Sequence, residues 1–128
     1  MRKESLRHGA FGWVDLATTD IEAARAFYSA IFGWDMEPAP VEGMEYTTLK
    51  VGGEEVGGMM QMSGDWENKH PCWSIYVTVD DVDAAARQAE ALGGKVIHGP
   101  EDVPGIGRFC GIQDPQGAVI CAITYVRG

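Results

Sequence analysis

The stretch that decides the fold runs from Trp73 to Gly94 and reads WSIYVTVDDVDAAARQAEALGG. An earlier version of it, FGWVDLATTDIEAARAFYSAIFG, runs from Phe11 to Gly33. An offset of 61 positions pairs five identical residues within 23 aligned positions. Three of the five are alanine, so two unrelated units of similar composition would also match. Conservative pairs at the same offset, such as Val14 with Ile75, favour a duplication.

The composition is that of an ordinary globular domain. Of the 128 residues, 45% are hydrophobic and 23% are charged, which is enough to bury a core. The net charge of −9 disfavours nucleic acid as a partner, and no apolar run suggests a membrane partner. Three cysteines without CxxC spacing indicate neither a disulfide framework nor a zinc site. We expect one cytoplasmic domain spanning residues 1–128.

The first module, at about residues 10–62, predicts the order β-α-β-β-β. The first strand leads into a helix that begins at a capping box, Thr19 to Glu22, and stops at Gly33. Pro38 and Pro40 are expected to end the second strand. The predicted elements are strand 11–17, helix 20–32, and strands 34–37, 45–51 and 56–62.

The second module, at about residues 72–126, predicts the same order. A polar stretch at 63–71 separates the modules and indicates a linker. GPEDVPGIG, at 99–107, predicts a loop, and DPQG at 114–117 predicts a tight turn. The predicted elements are strand 72–79, helix 81–92, and strands 95–97, 107–113 and 118–126.

One helix covers only one face of a four-stranded sheet, so the other face of each module must meet a partner or line a cavity. The two modules therefore predict an α+β fold. In it, two tandem βαβββ modules form an eight-stranded curved sheet, a cup with the helices outside.

Three stretches then point to a known family. They are WVDLATTDIEAARAFYSAIFGW in the first half, and SIYVTVDDVDAAARQAEALGGKV and DPQGAVI in the second. In these stretches the chain resembles the vicinal oxygen chelate superfamily, which includes glyoxalase, the bleomycin-resistance proteins and the extradiol dioxygenases. The resemblance covers nearly the whole chain. It implies this fold and, because such modules pair within or between chains, a homodimer.

Enzymes of that superfamily hold a divalent metal with four side chains, usually His and Glu or Gln. The resemblance places these positions at Trp13, Met60, Ser74 and Cys121. Trp cannot ligate, the Met thioether is a soft donor and Ser is a poor ligand, so only Cys121 is suitable. The histidines are expected at the surface: His8, His70 and His98. We therefore expect no metal and no cofactor, with a divalent metal at a displaced site as the alternative.

The strand phases place a soft, aromatic set of side chains on the cup side. The candidate ligand-binding residues are Trp13, Asp15, Tyr46, Lys50, Met60, Ser74, Tyr76, Phe109 and Cys121. This composition suits a planar or apolar small molecule, although the same residues could fill the cup as core. No catalytic residue is assigned.

Three details of the cup stay open. Asp15 and Lys50 could pair with each other, one of them could meet a charged ligand, or Asp15 could lie at the solvated rim. Cys121 would be a nucleophile only beside a base, and without a predicted histidine neighbour an inert buried thiol is expected. The loop at 99–108 could close the mouth of the cup, anchored by Arg108, or serve only as a connection.

The sequence favours a metal-free small-molecule binding protein that sequesters or senses an aromatic or cationic compound. A lyase, isomerase or dioxygenase-type enzyme with a displaced divalent metal is the alternative. A structural role with a filled cup is the third possibility.

Overall fold

The computed structural model describes residues 3–39, 45–62 and 70–126. Within these ranges the chain forms eight strands and two α-helices, preceded by a 3-10 turn at Lys3–Leu6. The elements group into two compact units. The first unit holds Trp13–Ser74, and the second holds Ile75–Gly128 together with Arg2–Gly12.

The first unit packs a helix on a four-stranded sheet. Its elements are β1 (Phe11–Thr18), α1 (Ile21–Phe32), β2 (Asp35–Ala39), β3 (Tyr46–Val51) and β4 (Glu54–Gln61). The strand order is β2-β3-β4-β1, in which β1 and β4 are parallel and the other neighbours antiparallel.

The second unit has the same order of elements. They are β5 (Cys72–Thr78), which belongs to this unit from Ile75 onward, α2 (Val82–Ala91), β6 (Lys95–Val103), β7 (Gly107–Gln113) and β8 (Val119–Tyr125). The strand order is β5-β8-β7-β6, with β5 and β8 parallel. The predicted α+β fold with two βαβββ modules is therefore confirmed. No helix in the described ranges is long and apolar enough to span a bilayer.

Both helices begin at an aspartate. The carboxylate of Asp20 accepts a hydrogen bond from the Ala23 amide, and Asp81 caps α2 in the same way. The capping box predicted at Thr19 is therefore wrong by one residue. Asp ranks above Thr as a cap, and its carboxylate also meets the positive end of the helix dipole. Gly33 ends α1 in the left-handed conformation, at φ 68°, as predicted.

Each sheet has one face that packs against its helix. In the first unit Leu16, Leu49 and Met59 form a core with Ile21 of α1. In the second unit Cys110 and Ala122 pack against Val82 and Ala86 of α2. Side chains alternate along a strand, so the neighbours of these core residues point to the opposite side. We call that side of each sheet its open face.

Two strands end at least two residues later than predicted, and both ends involve proline. Pro38 lies inside β2, because an edge strand tolerates the missing N–H on its free side. The predicted loop at 99–107 is mostly strand, since β6 continues to Val103 through two irregular pairings. Pro40 and the linker residues 63–69 lie outside the described ranges.

Apolar side chains recur along α1 at helical spacing, and only some of them are buried. Ile21 is buried, and Ala24 and Tyr28 pack against the core. Phe27 and Ile31 are instead 59% and 53% exposed. The apolar side chains of α1 that pack against the sheet therefore lie along one side of the helix.

Candidate functional site

The open face of the first unit carries a hydrogen-bonded trio of side chains. The indole Nε1–H of Trp13 donates to Asp15 Oδ1 at 2.6 Å and to the Tyr46 hydroxyl at 2.9 Å. The Tyr46 hydroxyl donates in turn to the same Asp15 oxygen at 2.7 Å. Two aromatic side chains thus hold one carboxylate in place.

Strand register explains how the trio assembles. Trp13 and Asp15 are two residues apart on β1 and therefore share a face. Asp15 pairs across the sheet with Gly58, and Gly58 pairs with Thr48 of β3. A Cβ on Gly58 would overlap the Tyr46 hydroxyl and come within 2.7 Å of its Cε1. The missing side chain therefore leaves the space through which Tyr46 reaches Asp15.

Asp15 does not lie at a solvated rim. Its exposed fraction is 8%, which is low for a carboxylate. The two donors compensate part of the cost of removing this polar group from water. A buried carboxyl group that accepts hydrogen bonds from two aromatic side chains is the distinctive chemical feature of this face.

Lys50 is turned away from this trio. Its Nζ lies 2.7 Å from Glu37 Oε2, and this partner raises the pKa of Lys50 above its ordinary value. The hypothetical Asp15–Lys50 pair is therefore not formed. A register irregularity between Leu49 and Lys50 separates Lys50 from the regular part of β3.

Two further candidates belong to the first unit. Met60 pairs in register with Tyr46 and is half-buried, so it extends the open face beside the trio. Ser74 is half-buried on β5. Among the described residues, the hydrogen bonds of the trio do not include Ser74.

The open face of the second unit carries a row of rings. Tyr76 and Phe109 meet edge to face at 6.0 Å between centroids. The Phe109 ring stacks with the imidazole of His98 at 5.3 Å and an interplanar angle of 28°. His98 Nε2 lies 2.6 Å from Glu101 Oε1. We call Tyr76, Phe109 and His98 the ring row.

His98 and Glu101 are the residues that sequence analysis missed. The predicted strand ended at residue 97, which left His98 at a strand end and Glu101 in a loop. Because β6 continues, His98 pairs with Gly111 and Glu101 pairs with Phe109. One feature of the sequence could have located them. His98 and Glu101 are three residues apart, on either side of a Gly-Pro step that resembles a turn.

Cys121 is buried and lies between Tyr76 and Gly111 in the register of β8. Cys110 lies on the helix side, and burial raises the pKa of its thiol above the ordinary value. Cys72 is exposed, and none of the three cysteines forms a disulfide within the described residues.

Arg108 is not an anchor on the open face. Its guanidinium binds Asp83 of α2 with two hydrogen bonds, at 2.9 and 3.0 Å. It also lies 3.4 Å from Asp102 of β6. These contacts lower the pKa of Asp83 and hold α2 against the sheet of its own unit. The hypothesis that residues 99–108 close the mouth of the cup loses its main support, because most of these residues are in strands.

The side chains at the superfamily's metal positions do not fit a divalent ion with N and O ligands. The Trp13 ring nitrogen carries a hydrogen that it donates to Asp15 and Tyr46, so it has no lone pair to offer. Met60 offers only a soft thioether. Across residues 3–39, 45–62 and 70–126, no group of three or more His, Cys, Asp or Glu side chains is placed to hold a metal.

The βαβββ unit, used twice with aromatic side chains on both open faces, defines the class of fold. Residues 10–122 match the model of the Glyoxalase/Bleomycin resistance protein/Dioxygenase superfamily. The chain belongs to this superfamily.

Three similar proteins are informative. CFP32 of Mycobacterium tuberculosis, named as a candidate glyoxylase, is 40% identical over 90% of this chain and 44% of its own length. The anthracycline biosynthesis protein DnrV of Streptomyces peucetius is 33% identical over 86% of this chain and 45% of its own. This chain thus spans about half the length of these relatives.

The third is a solved structure, the methylmalonyl-CoA epimerase of Streptomyces coelicolor in complex with 2-nitronate-propionyl-CoA. It has a TM-score of 0.68, is 18% identical, and the match covers 94% of this chain and 100% of that chain. At this identity the likeness shows the fold alone.

Proposed function

We propose that this chain binds a planar, positively charged or aromatic small molecule on its open faces and does so without a metal. The observation that carries the proposal is the trio of Trp13, Asp15 and Tyr46. Asp15 supplies a fixed negative charge, and the two rings supply flat apolar surface beside it. Cations bind favourably both to carboxylates and to the faces of aromatic rings.

The overall charge supports a cationic ligand. A net charge of −9 gives the surface a negative potential that attracts cations and repels phosphates and carboxylates. Within the open face of the first unit, Asp15 is the charge held closest to the rings, since Lys50 is paired with Glu37. The site therefore favours a ligand that combines a flat ring system with an amine.

The name of one relative agrees with this ligand class. DnrV is named an anthracycline biosynthesis protein. Anthracyclines are fused, planar ring systems that carry an amino sugar, and the amine is protonated at neutral pH. They therefore combine the two features that the trio would recognise, which makes an anthracycline a suitable first probe.

The test is a fluorescence titration with daunorubicin and with its neutral aglycone, both in the presence of EDTA. We expect daunorubicin to bind more tightly than the aglycone. Asp15→Asn should weaken daunorubicin binding by about 10- to 100-fold, the range for a hydrogen bond to a charged group, and leave the aglycone almost unchanged.

The matched control is Asp35→Asn, which removes an exposed carboxylate of the same unit. Its affinity for daunorubicin should stay within about twofold of the wild type. If Asp15→Asn fails to fold, Tyr46→Phe removes one donor to Asp15 and should also weaken binding. Equal affinity of wild type and Asp15→Asn, or no binding of either probe, would refute the proposal.

The alternative function is a lyase, isomerase or dioxygenase-type enzyme with a divalent metal at a displaced site. The observation favouring it is the 40% identity to CFP32, whose name indicates glyoxylase activity. Metal analysis after incubation with Ni, Zn, Fe and Mn separates the two functions. One metal per chain, with turnover of a glutathione hemithioacetal, would support the enzyme and contradict metal-free binding.

We also propose a cytoplasmic homodimer. Three cysteines that form no disulfide within the described residues suit a reducing compartment. Helix α1 exposes Phe27, Ile31 and Phe32, and relatives about twice as long have room for a second domain of this size, which a second copy would supply. Sedimentation should give a dimer for the wild type and a monomer for Phe32→Lys. A wild-type monomer would contradict this proposal.

A further inference from the structure

The open face of the second unit contains a histidine whose protonation pattern is fixed by its neighbour. His98 Nε2 lies 2.6 Å from a carboxylate oxygen of Glu101. An ionised carboxylate only accepts hydrogen bonds, so Nε2 must carry the hydrogen. In the neutral imidazole Nδ1 then has the lone pair and accepts.

That acceptor is accessible. The side chain of His98 is 55% exposed, and its Nδ1 makes no hydrogen bond within the described part of the chain. Its ring stacks with Phe109, which contacts Tyr76. The imidazole is therefore the last of three rings in contact, and it carries a hydrogen-bond acceptor.

The sheet beneath the ring row is open at one position. In register, Tyr76, Cys121, Gly111 and His98 lie side by side on four neighbouring strands. Gly111 contributes no side chain, and a Cβ there would meet the His98 Cβ at 3.4 Å. The stacked pair of Phe109 and His98, at an interplanar angle of 28°, is the part of the row on which a planar ligand can stack, and Tyr76 stands edge to face beside it.

We propose that the ring row is a subsite for a hydroxylated aromatic ring, whose hydroxyl donates its hydrogen bond to His98 Nδ1. The proposal rests on the small-molecule binding function above and specifies the chemistry of its ligand. A phenol fits, because it has a planar ring and a donor. A phenyl ether or a quinone carbonyl has no hydrogen to donate, and a phenolate or carboxylate is repelled by Glu101.

The experiment compares 2-naphthol with 2-methoxynaphthalene at about pH 8, above the ordinary pKa of imidazole and below that of a phenol. Binding is followed by NMR on protein with labelled imidazoles, so the nitrogen shifts report the tautomer of His98. Wild type should bear its hydrogen on Nε2. It should bind the naphthol about 2- to 12-fold more tightly than the ether, the range for one neutral hydrogen bond.

His98→Phe keeps a ring at the end of the row and removes the acceptor, so it should abolish the preference for the naphthol. Glu101→Ala should let the hydrogen shift between the two nitrogens and reduce the preference. The control is His8→Phe, which removes another exposed histidine of the same unit that lies beside a carboxylate, Asp80, and it should keep the wild-type preference.

The outcomes separate this inference from the proposed function. Binding of daunorubicin with equal affinity for the naphthol and its ether would overturn the subsite and leave the proposed function standing. A preference that survives His98→Phe would also overturn the subsite. If daunorubicin and both naphthalenes fail to bind, the proposed function and the subsite fail together. Should His98→Phe not fold, Glu101→Ala and the wild-type tautomer still decide the matter.

Discussion

Replacing Gly58 by alanine tests the geometry of the trio in the first unit. The new Cβ would overlap the Tyr46 hydroxyl and lie 2.7 Å from its Cε1, so the ring must move. Moving it breaks the bonds from the hydroxyl to Asp15, at 2.7 Å, and from Trp13, at 2.9 Å. The substitution therefore removes the trio without changing any of its three residues.

The magnitude follows from three effects. A hydrogen bond to a charged group stabilises by about 1.5–3 kcal/mol, and overpacking costs about 1–3 kcal/mol. Replacing glycine in a strand gains back about 0.5–1 kcal/mol, because the unfolded chain loses freedom. Gly58→Ala should therefore destabilise by about 1.5–5.5 kcal/mol, or about 5–20 °C in Tm for a chain of this length.

The matched background is Tyr46→Ala, in which the ring is absent. There, Gly58→Ala meets no clash and should stabilise by about 0.5–1 kcal/mol, so the effect changes sign. Urea unfolding of the four proteins gives the coupling energy, expected to be at least about 2 kcal/mol. Equal costs of Gly58→Ala in both backgrounds would refute the packing of Tyr46 over Gly58.

Three further predictions concern the cap, the ion pair and the thiols. In urea unfolding, Asp20→Ala should destabilise the protein by about 0.5–2 kcal/mol and Thr19→Ala by much less. The reverse order would support the capping box predicted at Thr19. Because Arg108 lowers the pKa of Asp83, the pair stabilises fully above the ordinary aspartate pKa of about 4 and is lost below it. The Tm difference between wild type and Arg108→Met should thus be constant from pH 8 to 5 and shrink below about pH 4; a constant difference down to pH 2 would contradict the pair. Cys72 alone should react quickly with a disulfide reagent in the folded chain, and fast reaction of a second thiol would contradict the burial.

Much of the fold could be predicted from the sequence. The offset of 61 predicted the same order of elements twice, and none of the predicted cup-side residues is among the helix-side core of the first unit. The open-face positions of Trp13 and Asp15 followed from the strand phase. Such patterns are local, so they can be recognised in the sequence without knowledge of the tertiary contacts.

The errors occurred where the local signal and the sheet disagreed. Pro38 and the Gly-Pro step at 99–100 are strong signals for the end of a strand, yet both lie inside strands. Edge position and irregular pairing, which no local pattern reports, make room for them. This is why His98 and Glu101 were not placed on the open face.

The partners of charged side chains were equally hidden. Asp15 and Lys50 are the charged candidates on one predicted face, and their pairing was a reasonable hypothesis. In the structure Lys50 forms an ion pair with Glu37, and Asp15 accepts hydrogen bonds from two aromatic side chains. Those choices depend on side-chain reach and on the space above Gly58, which become visible only in three dimensions.

The indole signals of the protein test the central claim most directly. The chain has four tryptophans, of which Trp13 lies on the open face, while Trp34 and Trp73 pack against Tyr28 on the helix side. In a daunorubicin titration with EDTA, the Trp13 indole N–H resonance should move and saturate, and those of Trp34 and Trp73 should stay. Movement of Trp34 and Trp73 without Trp13 would place the ligand on the wrong side of the sheet and contradict the account.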